Sequence, residues 1–457
     1  LVASDLGEDW LVLLEGNRPY ELVLRVEERR RSLGAIYKGK VTGLARAVGA
    51  YFVDIGEPRD AFLMDARAQD SEVELCVGEE VMIQVSREPD SGKGPRATRN
   101  ITLAGWCLVL AVRGPCGVSR RIEDPEERER LRLLTEELAP AGLGLIARTS
   151  AVGISREVLE RERDELVAHW QVIETHAREL RAPALVDQEQ DPAIVFLRDH
   201  LALNPERIVL DGPERAERLE RLAQTVGLPP IELFPGPLPA IEALQLEREL
   251  QLALSPHVPL PSGGRLVIET TEALTAIDVN SGSDFSQSTL EETALATNLE
   301  AASEVVRQLQ LRDLAGMIIV DFIDMVQSEH RAAIDAVLTR ELQRDRSKIR
   351  WLPLTEFCIA QITRQRRRPS LRSLLLQTCS SCHSGSQWRP EAEARQLLRS
   401  ARKLLRYAPR GRVQLSAALP TLRAAEEIAA VHGPGCGLGE RSRLVFVPGD
   451  REVRLIA

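Results

Sequence analysis

Aromatics, basic excess and long apolar runs are all scarce in this sequence, and each shortage removes a class of protein. Aromatic residues make up 4% of the 457 positions. The densest apolar stretches, residues 106–112 and 317–320, fall far short of the ~20 residues a membrane-spanning helix needs. Lys plus Arg number 59 against 68 for Asp plus Glu, a formal charge of −9. A chain this acidic is no general polyanion binder, so any nucleic-acid contact has to come from local basic patches. Cysteines number seven, an odd count, with only two closely spaced. That excludes a disulfide framework and fits a reducing cytosol. No charged-then-apolar leader opens the sequence at Leu1, so the expected location is cytoplasmic, with a start that is trimmed or read from an unusual codon. The seven His form no cluster, and no Ser–His–Asp arrangement, P-loop or fixed-period repeat is present.

What remains is ample for globular cores: 44% of residues are hydrophobic, and the length suggests about three domains. Residues 11–26 read as a hairpin around Gly16-Asn17-Arg18-Pro19. Between residues 34 and 99, short strand-like runs (36–42, 50–55, 61–63, 80–86) alternate with glycines, the pattern of a small barrel. A strand pattern at 144–149 precedes a charged amphipathic helix at 155–180, with Ser155 as its N-cap. Proline-rich joints mark 229–230, 235–239 and 256–261, and residues 264–376 alternate strand and helix.

The most informative stretch is residues 265–325. A strand, a turn and a second strand end at Asp278, Ser288-Thr289-Leu290-Glu291 forms a capping box, and a helix runs to about Arg312 with Leu295, Leu299, Ala302, Val306 and Leu309 on one face. The run MIIV then leads straight into Asp321. If the two strands are parallel neighbours, Asp278 and Asp321 meet at their C-terminal ends, where open α/β sheets place ligands. Paired carboxylates repel unless a cation neutralises them, and an oxygen-only donor set favours Mg²⁺. Asn280 lies on the same strand face, and Asp324 is close enough to assist. Strand-end aspartates also serve as caps and turn residues, and spacing alone leaves both readings open.

Cys379-Ser380-Ser381-Cys382 is the only CxxC, followed by His383 and Gly385. Two thiolates are half of a four-ligand zinc site. The rest would come from His383 and another residue or from a second subunit; a pair of unligated thiols is the bland alternative. In the candidate barrel, Lys38, Lys40 and Arg46 interleave with Tyr37, Tyr51, Phe52 and Phe62, and Lys93 sits in a glycine-rich loop. In an OB-like barrel, aromatics on the strand face stack bases while cations meet the backbone, although Phe52 and Phe62 suit an ordinary core equally well. Arg148-Thr149, followed by Val152-Gly153, has the groups of a phosphate clamp, although taken alone the pair better suits a structural role. Two further basic runs, residues 361–372 (Arg364, Arg366, Arg367, Arg368 and Arg372, no acid) and 389–412 (eight basic residues, two Glu), suggest a polyanion track.

In this order the pieces resemble the ribonuclease E/G family of bacterial endoribonucleases, from about residue 34 to residue 385. The strings that carry the resemblance are IYKGKVT, LPSGGRLVIETTEALTAIDVNSG, EETALATNLEAASEVVRQLQLRDLAGMIIVDFIDM and TRQRRRPSL. The resemblance implies an α/β multidomain fold. It comprises a split, structural RNase H-like subdomain (1–34 and 190–253), an inserted OB-fold RNA-binding barrel (35–100) and a 5′-sensor region (101–189). A DNase I-like catalytic domain (254–376), a zinc link (377–388) and a small C-terminal domain (389–457) follow. It implies that Asp278 and Asp321 bind catalytic Mg²⁺ beside Asn280, and that Lys348 is a basic residue near the scissile site. Arg148 and Thr149 match a 5′-monophosphate sensor, and Phe52, Phe62, Lys93 and, more loosely, Arg87 match RNA-gripping positions, with Lys38 in the same strand. Cys379 and Cys382 match a structural Zn²⁺ link to which two protomers each give two thiolates, which makes a homodimer, with a tetramer left open. The family usually has Pro after the first of these cysteines, where Ser380 stands here. The stretch of about 70 residues beyond the link looks like the shorter ribonuclease G branch. The expected activity is Mg²⁺-dependent endonucleolytic cleavage of single-stranded RNA, stimulated by a 5′-monophosphate, in rRNA and tRNA processing and mRNA decay. The rival is a non-catalytic RNA-binding scaffold of the same fold.

Overall fold

The computed structural model describes residues 1–26, 33–45, 49–64, 75–87, 94–188, 191–217, 219–220, 228–282, 289–379, 381–382, 385–408, 411–433, 438 and 443–456. Two compact units emerge, Leu1–Glu27 with Pro235–Ala457, and Glu28–Phe234.

The second unit begins with the barrel. Strands β1 (Ile36–Ala45), β2 (Ala50–Asp54), β3 (Ala61–Met64), β4 (Glu80–Arg87) and β5 (Arg96–Thr98) follow the order β1-β2-β3-β5-β4. Antiparallel pairing of β1 with β4 closes the ring. Strand alternation explains the closure. Tyr37, Val41, Tyr51, Val53, Leu63, Ile83 and Val85 point inward into one core, while the residues between them face out. This closed five-stranded barrel is consistent with an OB-fold. β5 has only three residues and was not legible as a strand. A four-stranded sheet follows, made from Thr102–Ala104, Leu108–Ala111, Gly117–Val118 and Gly144–Ala147. Helices Pro125–Leu138 and Arg156–Glu179 accompany it; Ser155 stands at the N-cap of the latter but makes no side-chain cap bond.

In the first unit, Val2–Asp5, Glu8–Glu15 and Arg18–Val26 form an antiparallel meander. The turn between the last two is tighter than the sequence suggested: Gly16-Asn17 make it, and Arg18 and Pro19 already pair in the strand. The principal sheet comprises β6 (His257–Pro259), β7 (Arg265–Thr270), β8 (Leu274–Asn280), β9 (Gly316–Asp321), β10 (Ile349–Leu352) and β11 (Ile359–Arg364), in the order β6-β7-β8-β9-β11-β10. Helix α1 (Leu290–Leu311) makes the crossover from β8 to β9, and α2 (Ser328–Arg344) follows β9. Leu266, Ile268, Ile277, Val279, Ile318, Val320, Ala360 and Ile362 form the buried sheet face under these helices. On the alternate face Met317, Ala276 and Gln361 are exposed, so among the described residues this side of the sheet is largely open.

Two expectations about α1 shift. Its N-cap is Thr289, whose hydroxyl accepts from the Glu292 N–H, one residue later than the capping box predicted; Ser288 lies outside the described residues. The helix is also more than one-faced. From Ala301 to Leu311 it is buried almost all round, and its polar groups are paired internally. Arg307 donates to Glu304 and to the Pro19 carbonyl at 2.7 Å, and Arg18 pairs with Glu304 at 2.8 Å.

The expected polyanion track is drawn down by internal pairing, although Arg366, Arg372 and Arg412 remain exposed. Arg364 is buried between Asp345 (2.7 Å) and Asp313 (2.9 Å), and Arg368 joins Asp313 to Glu21, each at 2.6 Å. Along helix Pro390–Tyr407, Arg399 reaches Asp5 at 2.7 Å and Glu8, and lies 5.1 Å from the Trp10 ring centre. Arg402 pairs with Asp5 at 2.6 Å, Lys403 with Glu247 at 2.9 Å and Arg406 with Glu242 at 2.8 Å. Arg364, Arg368, Arg399 and Arg402 are internal staples, whereas Lys403 and Arg406 pair at the partly exposed surface. A buried guanidinium needs a carboxylate, and an acidic chain supplies one.

Candidate active site and nucleic-acid interface

β8 and β9 are parallel neighbours, and Asp278 stands directly beside Asp321 in register. Both are exposed on the uncovered face at the C-terminal strand ends. Asn280 follows on the same face, and its side-chain N–H donates to Asp278 Oδ2 at 2.5 Å. The loop after Asp321 is pinned from three directions. Buried Asn298 of α1 donates to the Ile323 carbonyl at 2.8 Å and accepts its N–H at 3.0 Å. Glu291 accepts the Val326 and Gln327 N–H groups and contacts His330 at 2.9 Å. Met325 N–H reaches the Cys358 sulfur at 3.3 Å, and Phe322 N–H the Cys358 carbonyl at 3.2 Å. Asp324 is thereby held close. Burial, then the charges of Asp278 and Asp324, push the Asp321 carboxyl above its usual range. That is the electrostatic pressure a cation relieves.

No group of three or more His, Cys, Asp or Glu among the described residues is placed to hold a metal ion. A hard divalent ion taking one or two carboxylates and completing its shell with water and substrate phosphate needs no more than the pair. The in-register carboxylates on an open edge fit that requirement.

Lys348 does not join the pair. It precedes β10, whose first residue, Ile349, pairs with Arg364, itself opposite Gly316 at the start of β9. Asp321 is five residues further along β9, about 17 Å at a strand's rise. Sequence proximity to the basic runs could not reveal which end of the sheet the lysine occupies.

Cys379 and Cys382 lie at the tip of a hairpin whose strands, Leu376–Thr378 and Ser386–Trp388, pair antiparallel. Cys379 N–H donates to the Gly385 carbonyl at 2.9 Å, and Gly385 N–H to the Cys382 sulfur at 3.2 Å. The tip therefore presents both sulfurs together, a donor set that suits zinc but supplies only half of a closed site. Ser380 and His383 lie outside the described residues.

On the barrel, Phe52 of β2 pairs in register with Phe62 of β3, the rings edge-to-face with centres 5.7 Å apart. Phe52 is 41% exposed, which removes the ordinary-core reading for it. The row continues across the strands. Phe62 stands beside Arg96 of β5, and Arg96 opposite Arg87 of β4. Neither arginine side chain has a hydrogen bond or ion pair among the described residues. Arg96 was missed because a three-residue strand leaves no periodic signal. Lys38 is spent elsewhere, on the Leu180 carbonyl (2.8 Å) and Glu80 (3.0 Å). Lys93 lies outside the described residues.

Arg148 closes strand Gly144–Ala147, with its guanidinium donating to the Gly105 (2.7 Å) and Arg198 (3.2 Å) carbonyls and to Asp199 (3.3 Å). The Thr149 hydroxyl is 3.1 Å from that of Ser119, which sequence reasoning missed; exposed Arg120 follows it. Buried Glu162 holds the neighbouring turn by accepting the Trp106, Cys107 and Leu108 N–H groups. Burial raises its pKa against those bonds. The cluster therefore offers two hydroxyls, with the guanidinium already shared with a carboxylate that an anion would have to displace.

Comparison with known proteins places these features in company. The Ribonuclease E/G family profile matches residues 102–367. Ribonuclease E of Escherichia coli (strain K12) is 36% identical over 401 residues, covering 83% of this chain and 38% of that protein. Ribonuclease E of Nostoc sp. is 37% identical over 377 residues, 79% of this chain and 55% of the relative. Ribonuclease G of Haemophilus influenzae is 34% identical over 402 residues, 82% of this chain and 81% of the relative. The chain thus spans about half, or less, of these two ribonuclease E relatives and most of this ribonuclease G.

Proposed function

The chain belongs to the ribonuclease E/G family, and from that premise we propose that it is a Mg²⁺-dependent endoribonuclease acting on single-stranded RNA. The observation that carries this reading is the in-register pair Asp278 and Asp321 on the open strand-end edge. These two carboxylates would hold the metal. Bound there, Mg²⁺ would supply the positive charge that acidifies a water and offsets charge building on phosphorus. Asn280, fixed against Asp278, presents its amide to the phosphate or the attacking water. The pinned loop behind Asp321 keeps the two carboxylates from splaying as charge shifts. Hydrolysis would leave a 3′-hydroxyl and a 5′-phosphate.

Phe52 and Phe62 would stack unpaired bases while Arg96 and Arg87 meet the backbone, which explains a preference for single strands without a base consensus. Arg148, Thr149 and Ser119 would read a 5′-monophosphate, the phosphate taking the place of Asp199 on the guanidinium. Binding energy from that remote end can align the scissile bond, so sensor loss lowers turnover as well as affinity. Cys379 and Cys382 would bind Zn²⁺ with the matching pair of a second protomer, giving a homodimer. Among the described residues no helix is long and apolar enough to cross a membrane, and we place the work in the cytosol, in rRNA and tRNA processing and mRNA decay.

One experiment tests the centre of this reading. An unstructured RNA oligomer with a 5′-monophosphate or a 5′-hydroxyl is incubated with wild type and Asp321→Asn, in Mg²⁺ or EDTA. Internal cuts that require Mg²⁺ and Asp321, faster with the monophosphate, are expected. Binding without cleavage would instead make the protein an RNA-binding scaffold. Cuts indifferent to the 5′ group would discard the sensor. Unchanged zinc content and unchanged mass in solution after Cys379→Ser with Cys382→Ser would discard the zinc link.

A further inference from the structure

The edge that carries the acid pair poses an electrostatic problem. Asp278, Asp321 and Asp324 put three carboxylates where a polyanion is to be cut. One divalent ion does not cancel them, and Lys348 sits at the other end of the sheet. Register supplies another cation. Arg265, the first residue of β7, lies directly opposite Asn280. Opposed residues of an antiparallel pair project from the same face, so Arg265 shares the open face with Asn280 and Asp278. It is exposed, and among the described residues its side chain has no hydrogen bond or ion pair. Its approach is rigid. Leu260 N–H donates to the Gly264 carbonyl at 2.8 Å and Ser262 N–H to Glu300 at 2.9 Å. A Cβ on Gly264 would lie 2.7 Å from the Asn280 carbonyl oxygen. Glycine there is what lets the strand start so close to the site.

The other flank carries Phe357, 75% exposed, in the turn between β10 and β11 and two residues before Ile359, which pairs with Asp321. This turn is braced. Cys358 N–H reaches the Thr355 carbonyl at 3.0 Å, Leu354 N–H reaches Asp335 at 2.9 Å, and the Cys358 carbonyl accepts from Phe322. A large apolar ring held in water on a fixed turn gains nothing for the fold. Beside a phosphate-handling edge it is a stacking platform. From β7 to β11 is three strand spacings, about 14 Å across the sheet, with Arg265 two residues beyond the row of Asp278, Asp321 and Ile359.

Resting on the endoribonuclease reading above, we propose that the RNA strand crosses this edge from Arg265 to Phe357, Arg265 gripping a phosphate next to the one cut and Phe357 stacking a flanking base. Both residues touch substrate, on opposite sides of the scissile bond.

The test uses a fluorescent RNA oligomer with a 5′-hydroxyl, so that the sensor plays no part. Cleavage is followed in Mg²⁺ and binding in EDTA at several salt concentrations, for wild type, Arg265→Ala, Arg265→Lys, Phe357→Ala and Phe357→Trp, each checked by thermal melting. Arg265→Ala should lower kcat/KM by about 10–100-fold, the worth of a charged hydrogen bond. It should also reduce the salt slope of binding by about 0.7, and Lys should restore the slope. Phe357→Ala should weaken binding by about 5–150-fold with the slope unchanged, and Trp should restore it. Wild-type cleavage together with wild-type rates, affinities and slopes in both alanine variants would overturn this proposal alone. If wild type bound but did not cut, the nuclease reading would fall while the affinities and slopes still decided the track. Phe357→Ala altering mass in solution but not RNA binding would assign the ring to a contact between copies and overturn its role.

Discussion

Arginines occur in two very different settings in this protein. On helix Pro390–Tyr407, Arg395, Arg399 and Arg402 are 1%, 2% and 7% exposed, locked onto Leu6, Asp5 and Glu8 of the N-terminal meander. On the barrel, Arg87 and Arg96 sit at the end of a row begun by Phe52 and Phe62, their side chains without partners among the described residues. By sequence, both the helix and the barrel are candidate polyanion surfaces. The structure leaves the barrel pair the more available to a polyanion, because a cation held by a carboxylate of its own chain must first give up that partner. In a chain of net charge −9, the basic residues left unpaired are more telling than the ones that cluster.

The sharpest test of this contrast is stability. Arg399→Ala leaves buried Asp5 with Arg402 alone and buried Glu8 with only Arg395 at 3.7 Å, and should cost about 3 kcal/mol in a urea melt. Arg96→Ala should stay within about 0.5 kcal/mol. Equal losses would erase the distinction. A smaller effect should appear at the acid end. Burial alone would raise the Asp5 carboxyl, but Arg399 and Arg402 outweigh it and hold the group below its ordinary value of 3.8. A depressed folded pKa contributes stability that is present above about pH 4 and lost as pH falls through the folded value. Asp5→Asn should therefore flatten the acid limb of the stability profile. An acid limb as steep as that of wild type would mean that other carboxylates carry it.

What the sequence disclosed and what it hid follow the same division between local and distant partners. The strand–helix–strand run to Asp321 was legible because its signals are local: alternating apolar residues, a helix cap, and an apolar run ending in aspartate. The parallel pairing of Asp278 with Asp321 followed from topology alone. The barrel strands, apart from short β5, declared themselves by alternation and glycine. Hidden were the features set by pairing partners rather than by neighbours. Arg399 finds Asp5 across 394 residues. The opposition of Arg265 and Asn280 depends on which residues of the intervening turn leave the ladder, and a slip of one would have put the arginine on the other face. The end of the sheet at which Lys348 lies is fixed by antiparallel pairing with β11, which no spacing reveals.

The second contrast to break is between the two kinds of exposed contact on the barrel itself. Phe52→Ala and Phe62→Ala should each weaken binding of an unstructured RNA by about 1–3 kcal/mol, the worth of one stacked base, and leave the salt dependence unchanged. The edge-to-face pair predicts coupling as well. Removing one ring lets the other tilt, so the double variant should lose less than the sum of the two, as expected for residues in contact. Strict additivity would mean that each ring stacks its own base independently.

Arg96 gives the smallest and most diagnostic effect. Its guanidinium stands beside Phe62 on an open face, where solvent screens it, so its loss should weaken binding only a few-fold at moderate salt. The signature lies in the slope. Each phosphate contact to a single strand contributes about 0.7 to the dependence of log affinity on log salt. Arg96→Ala should remove one such increment, and Arg96→Ala with Arg87→Ala two. Arg402→Ala, compared at a temperature where it remains folded, should remove none, because its charge already belongs to Asp5. A lowered slope in the Arg402 variant would show that buried ion pairs still project charge to the RNA, and the division between internal and external arginines would have to be withdrawn.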